Sequence, residues 1–340
     1  MKVILIGHGM VAATHVAAIS ESPGLELMGV LGRDVTRTSS FVREHCDSAR
    51  IFTNIEEVLD AKPDFVILTT PPNAREEFIR PLAAARIPVL MEKPVERSLD
   101  QAKHIIDLCA STGTHAGVVL QHRVRAASLK LKELVEIGSI GRLVAAEIRV
   151  PWWRPQSYYD QPGRGTYSRD GGGVMINQAI HTLDLATWIL GPVARLQAHL
   201  VTTEMHKMES EDWASALLEF QNGAVGTMTS TVSFYPGGAE SLTIQGTAAN
   251  AHLENGVLSV GYIDGRTESI GETARGTGGG ADPMAFTHAW HQAVIEDFAK
   301  SIETARAPIC TAREALNVHA VIDAMERASK SNSSVEVDPI

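Results

Sequence analysis

The sequence predicts an α/β chain: an N-terminal doubly wound parallel sheet over residues 1–122, then an α+β domain over 123–340 with a mostly antiparallel open sheet. Three observations predict it. Short β-branched and apolar runs alternate with helical patterns through the first third, a turn rich in glycine follows the first of these runs, and from about Arg123 the pattern changes to long segments of strand character. With 340 residues and 44% hydrophobic content, the chain buries a sizeable core and divides into two domains.

The strands expected in the first domain are 3–6, 25–31, 65–69, 89–91 and 116–120, with helices between them. Ser98 and Gln101 form a capping box for a helix that stops before Gly113. Strand and helix in alternation imply a parallel sheet covered on both faces. The second domain starts with a helix at 128–137, followed by strands at 143–150, 193–202, 213–220, 224–232 and 241–245. The C-terminal helix is expected to pack back on the first domain. Gly276-Thr277-Gly278-Gly279-Gly280 is a low-complexity patch, read as a surface loop because no strand leads into it.

A formal net charge of -10, with no Lys/Arg-rich tract, argues against a nucleic-acid footprint. The apolar run after Met1 is too short for a signal peptide and no later run spans a bilayer, so no membrane partner and a cytoplasmic location are expected. Cys46, Cys109 and Cys310 are odd in number, far apart and without metal-ligand spacing; neither disulfide nor metal is assigned to them.

The first chemical signal is "VILIGHGMVAATH", where a buried strand meets Gly7-x-Gly9-x-x-Ala12 and runs into a helical pattern. Gly7 permits the tight turn, Gly9 lets the backbone approach a pyrophosphate, and Ala12 permits close helix packing. The intervening His8, Met10 and Val11 then present backbone to the anion at a helix N-terminus. This is a dinucleotide fingerprint. Near the end of the second strand, where an acid would bond the ribose of NAD, the chain reads Gly32-Arg33-Asp34 with Arg37 a turn later. Two guanidinium groups suit a 2′-phosphate, which favours NADP over NAD. The alternatives are that Asp34 is the ribose acid displaced in register, or that both arginines are merely solvated.

In such a sheet the ligand lies beyond the carboxyl ends of the strands. Thr70-Pro71-Pro72-Asn73 and Glu92-Lys93-Pro94 follow two of those ends, and Gln121, His122 and Arg123 follow a third. Pro94 restricts the backbone behind Lys93 and so holds its ammonium in one place. Both charges of the Glu92-Lys93 pair are expected to face the cofactor.

On Gly7-x-Gly9-x-x-Ala12, Pro72-Asn73, Glu92-Lys93-Pro94, Gly138-x-x-Gly141 and "GGGVMINQAIHTLDL", the chain resembles the Gfo/Idh/MocA family of nicotinamide-dependent oxidoreductases over nearly its whole length. The resemblance implies a Rossmann domain, a second domain whose open sheet commonly forms a homo-oligomer interface, and sugars, inositols or related polyols as substrates.

In "GGGVMINQAIHTLDLATWILG", Asn177 and His181 fall at i and i+4 on one helical face, with Asp184 a further turn along. Oxidising a secondary alcohol needs a group to accept the hydroxyl proton as hydride leaves, and an imidazole of ordinary pKa near 6.5 suits that task. His181 is the expected general base, and Lys93 the group that stabilises alkoxide charge. Relatives often carry Asp where Asn177 stands; an amide takes no proton, which leaves Asn177 orientation or substrate binding. Asp184 is expected to anchor His181 or its helix.

The segment "VPWWRPQSYYDQPGRGTYSRDGGG" is dense in aromatics although Phe, Trp and Tyr make up only 5% of the chain. Aromatic faces stack on sugar C–H faces, and Arg154, Tyr158, Arg164 and Tyr167 can grip hydroxyls or a carboxylate, with Gln121 beside them. By resemblance, Trp153 and Arg154 also serve the cofactor. The alternatives are packing in a surface loop or an oligomer contact. His288, Trp290 and His291 are read either as closing the pocket or as packing. Three functions are compatible with these residues: a dehydrogenase or reductase, a redox-inactive sensor of dinucleotide and sugar, and a glycoside hydrolase with tightly held NAD.

Overall fold

In a computed structural model of the protein, which describes residues 1–273 and 279–340, Met1–Gln121 and Thr287–Ala315 form one unit and His122–Phe286 with Leu316–Ile340 a second. The Gly276 to Gly278 part of the expected glycine loop lies outside the described residues.

The first unit alternates β1 (Lys2–Ile6), α1 (Ala12–Glu21), β2 (Glu26–Leu31), α2 (Val35–His45), β3 (Arg50–Phe52), α3 (Ile55–Ala61), β4 (Phe65–Leu68), α4 (Glu76–Ala84), β5 (Val89–Glu92), α5 (Leu99–Thr112) and β6 (Ala116–Val119). The strands run parallel in the order β3-β2-β1-β4-β5-β6. β4 and β5 are buried at every position, as strands covered on both faces must be, which is why they read as unbroken apolar runs. Strand order reverses between β1 and β4, so the ligand crevice of this fold class opens above Gly7 and Thr69. Side-chain caps set the helix starts: Asp34 accepts from Arg37 N, Asn54 from Glu57 N and Ser98 from Gln101 N. Gly113, at φ +70°, ends α5.

The second unit holds α6 (Ala126–Glu136), β7 (Leu143–Pro151), α7 (Gln156–Tyr159), α8 (Ile180–Leu190), β8 (Val193–Val201), β9 (Trp213–Phe220), β10 (Val225–Thr231), β11 (Ser241–Gly246), β12 (Ala249–Glu254), β13 (Val257–Tyr262) and β14 (Thr267–Gly271). Then come α9 (Ala289–Glu303), which belongs to the first unit, α10 (Ala312–Ser331), within which the division falls, and β15 (Val335–Glu336). The sheet runs β14-β13-β12-β11-β7-β10-β9-β8-β15, antiparallel except for the pair β7–β10. Burial alternates along β7, β9, β10 and β12, so one face meets a core that includes Leu131, Leu183, Val321 and Met325. The other face exposes Leu217 and Val225. Among the described residues no helix is long and apolar enough to cross a membrane.

β3, α9, and the strands β12 to β15 stand outside the expected elements. β3 has only three residues, too few to show a period. α9 packs within the first unit, where Phe298 meets Phe65 edge-to-face with centroids 5.5 Å apart, and beyond the helix Cys310 O accepts from Val118 N at 3.0 Å.

Candidate active site

The cradle of the first unit is built by the turn between β1 and α1. Gly7 lies at φ +101°, and a Cβ there would sit 2.9 Å from both Thr69 Oγ1 and Thr70 N. Gly9 is different. Its φ is not left-handed, and among the described residues an added Cβ would meet only Thr69 O at 3.9 Å, so none of them requires glycine there. α1 begins with no side-chain cap and no acid in its first turn, which leaves its N-terminus suited to an anion. Met10 is exposed and Val11 half-buried, while the His8 ring packs over Gly32 and stacks on Phe41 at 5.9 Å. The Thr70 hydroxyl and Gln121 Oε1 are buried without a hydrogen-bond partner among the described residues. These features fit a bound dinucleotide.

Beyond β2 the residues separate in role. Asp34 Oδ1 accepts from Arg37 N at 3.1 Å as the cap of α2. Arg33 Nη2 lies 2.9 Å from Glu77 Oε1, both side chains being exposed, and Arg37 is exposed as well.

Glu92 departs from the expectation that both charges of its dipeptide face the cofactor. Its carboxylate turns inward: Oε1 lies 2.8 Å from His15 Nε2 on α1 and 3.5 Å from His291 Nε2 on α9. Burial alone would raise this acid, but hydrogen bonds to His15 and His291 hold it well below the carboxylate range. The three ligand-type atoms lie within 4.8 Å of one another. A contact of 2.8 Å is a hydrogen-bond distance, shorter than the roughly 3.3 Å separating two ligands on a tetrahedral zinc. Lys93 is half-buried, and the Lys93–Pro94 peptide is cis. Arg75, which the sequence reading passed over, binds both strand-end loops: it donates to Pro94 O, to Val95 O at 3.1 Å and to Thr70 O at 3.2 Å. Burial lowers its pKa to about 10, against the raising charges of Glu92 and Glu96. Pro71 and Asn73 are exposed at the tip of that loop, while Pro72 is buried.

In the second unit, His181 is on α8, which is entered through a π-helical turn, Met175–Ala179. Its buried ring stacks on His122 with centroids 5.1 Å apart and planes at 27°. Asn177 is turned back along the helix, its Nδ2 donating to Gly172 O at 2.9 Å and Gly173 O at 3.0 Å. Asp184 forms a fully buried bidentate pair with Arg123, whose Nε and Nη2 lie 2.8 and 2.7 Å from its oxygens. Arg123, expected at a cleft with Gln121 and His122, is spent on that pair and lies 5.4 Å above the Trp188 ring.

The aromatic segment is a packed cluster. Arg154 is buried and donates from Nη1 to Trp153 O at 2.8 Å and Gly280 O at 2.5 Å, with its guanidinium over the Trp152 and Tyr158 rings. Arg164 stacks on Tyr158 at 5.1 Å and lies 3.8 Å from Asp170. Trp153 meets Tyr235 edge-on at 5.4 Å. Tyr167 remains exposed, and burial of part of its surface pushes its pKa up to about 12. His206 sits between two acceptors, Asp212 Oδ2 and Arg154 O, each at 2.8 Å. Burial lowers its pKa, but these bonds outweigh it and leave it raised, as an imidazole donating from both nitrogens must be. His288 pairs with Glu21 at 3.0 Å, so with His291 it packs within the first unit.

A dinucleotide cradle on a parallel sheet, followed in the chain by an α+β unit, defines the class: oxidoreductases with a Rossmann domain. Comparison with known proteins narrows it. Residues 1–120 match the NAD-binding Rossmann fold of an oxidoreductase family and residues 128–252 its GFO/IDH/MocA C-terminal domain. The chain belongs to the GFO/IDH/MocA family. A D-apiose dehydrogenase of Rhizobium rhizogenes is 29% identical over 66% of this chain and 64% of its own length, so the match spans less than two thirds of that protein. A D-xylose 1-dehydrogenase (NADP(+)) of Haloferax volcanii is 24% identical over 98% of this chain and 99% of its own. The solved structure of the WlbA dehydrogenase from Bordetella pertussis, in complex with NADH and UDP-GlcNAcA, is 25% identical and covers 100% of this chain and 99% of its own with a TM-score of 0.83.

Proposed function

We propose that the protein is a dehydrogenase or reductase that moves hydride between C4 of a nicotinamide cofactor and a secondary alcohol or ketone of a sugar, sugar derivative or inositol. The observation that carries it is Gly9, a glycine that its own fold does not require and that close approach of a pyrophosphate does. Relatives named for apiose and xylose support the sugar class.

The backbone of Gly7 to Val11 would hold the pyrophosphate, Gly32, Arg33 and Arg37 the adenosine ribose, and Thr70 to Asn73, Lys93 and Gln121 the nicotinamide end. When bound, the nicotinamide supplies the hydride acceptor. His181 takes the hydroxyl proton, Lys93 stabilises the developing alkoxide, and Asn177, Tyr158, Arg164 and Tyr167 orient the polyol. Arg154 acts by fixing its loop, since Nη1 is engaged by two carbonyls. Glu92 acts through α1 and α9, holding His15 and His291.

With sugars, sugar acids and inositols offered alongside NADP or NAD, reduced-nicotinamide absorbance should rise for the parent. His181→Ala should lose on the order of 10²–10⁴ in turnover while its cofactor Kd stays unchanged; retained turnover sinks the role of His181. Cofactor that binds without turnover of any substrate would instead favour a sensor.

NADP is the favoured cofactor. Asp34 is committed to the cap of α2, and the Arg33–Glu77 pair is an exposed one of the kind worth about 0–1 kcal/mol, which a phosphate dianion can displace. Arg33→Ala should weaken NADP binding about tenfold and leave NAD binding as it was. An unchanged ratio of the two dissociation constants would remove the preference.

A further inference from the structure

The tripeptide Ser210-Glu211-Asp212, just before β9, has no part in the chemistry above. Glu211 nevertheless reaches the start of the helix that carries His181. Gly173 N donates to its Oε2 and Met175 N to its Oε1, both at 3.1 Å, and Val174 N donates to its backbone oxygen at 2.9 Å. One buried residue thereby accepts from three consecutive N–H groups of the kind that a helix start leaves without intrahelical partners. The fit excludes any side chain at Gly173, where a Cβ would lie 1.8 Å from Glu211 O. The flanking residues bind neighbouring segments: Ser210 Oγ donates to Gly165 O at 2.8 Å, and Asp212 holds the His206 that meets Arg154 O.

We propose that Glu211 is a positioning residue for the reaction, its ionised carboxylate fixing the first turn of the helix that carries His181. This rests on the reading of His181 as general base. A carboxylate at a helix N-terminus is favoured by the aligned peptide dipoles as well as by the hydrogen bonds. The titratable groups around it are Glu326 of α10, Tyr159 of α7 and Tyr167, with the Asp212–His206 pair next in the chain. Burial raises the Glu211 acid to about 7, Glu326 adds to the rise, and the backbone N–H groups oppose it. Proton uptake turns one accepting oxygen into a hydroxyl. Either Gly173 N or Met175 N then loses its full acceptor.

The test is hydrogen–deuterium exchange over residues 172–181, corrected for intrinsic rates, in the parent and in Glu211→Gln, with kcat, KM and cofactor Kd measured on the same proteins. A local opening that leaves Glu211 buried takes from it the N–H groups that lower its pKa, so parent protection of this segment should rise about tenfold between about pH 6 and pH 8, following the ionised fraction, even as global stability falls. In Glu211→Gln it should be lower at the upper pH and flat across the range, with kcat reduced about tenfold and cofactor Kd unchanged. Parent-like protection with its pH dependence intact in the variant overturns the clamp; lost protection with unchanged kcat overturns its bearing on the reaction. The exchange measurement needs no substrate, so failure of the dehydrogenase reading is told apart from failure of the clamp.

Discussion

Gly7 and Gly9 stand two positions apart in one turn and answer to different constraints. Gly7 is held at a left-handed φ against Thr69 and Thr70, so Gly7→Ala should destabilise the protein by about 1–3 kcal/mol, read as a lower Tm. Gly9→Ala should leave the Tm nearly unchanged and raise the cofactor Kd about tenfold or more, read by fluorescence titration. A Gly9→Ala variant with parent affinity would move the pyrophosphate elsewhere. Both glycines were legible because a backbone constraint writes itself directly into residue identity. Charge partnerships were not. Glu92 finds His15 across 77 positions, Asp184 finds Arg123 across 61, and no local pattern announces either. Arg75 is the sharper case: a buried guanidinium that joins two loops through backbone oxygens leaves no signature in the partner residues at all.

Among the elements, five of the six parallel strands were legible to within a residue or two because burial on both faces favours unbroken apolar runs, β3 with three residues being the exception. The hairpin β12–β13 closes through Asn255 at φ +49° and Gly256 at φ +82°. An Asn-Gly pair between alternating runs is a strong hairpin signal, so this part of the sheet was written in the sequence although the expected strands stopped at 245. The helix of His181 was legible as a helix from its glycines and apolar character. Its π-helical entry was not, since Glu211 meets Gly173 and Met175 across 38 and 36 positions. The elements were thus readable from local composition, and the side-chain contacts that tune their ends were not.

At the scale of the whole molecule, two buried carboxylates pull stability in opposite directions with pH. Glu92 is depressed when folded, so its contribution is present above its unfolded pKa and is lost as pH falls through the folded one. Glu211 is raised from 4.5 to about 7, so the folded state binds its proton more tightly and stability falls by roughly 3 kcal/mol as pH climbs through that window. Thermal unfolding of Glu211→Gln at about pH 5 and pH 8 should therefore show a smaller loss of Tm on going to the higher pH than the parent does. Parallel profiles would mean that Glu211 does not titrate there. The path of the chain has a further consequence. Phe298 packs on Phe65, and Cys310 and Thr311 pair with the outer edge of β6. The unit begun first is therefore completed late: on the ribosome its edge strand and the face of α1 wait uncovered while residues 122–286 are made, a long interval of exposure for chaperones to guard.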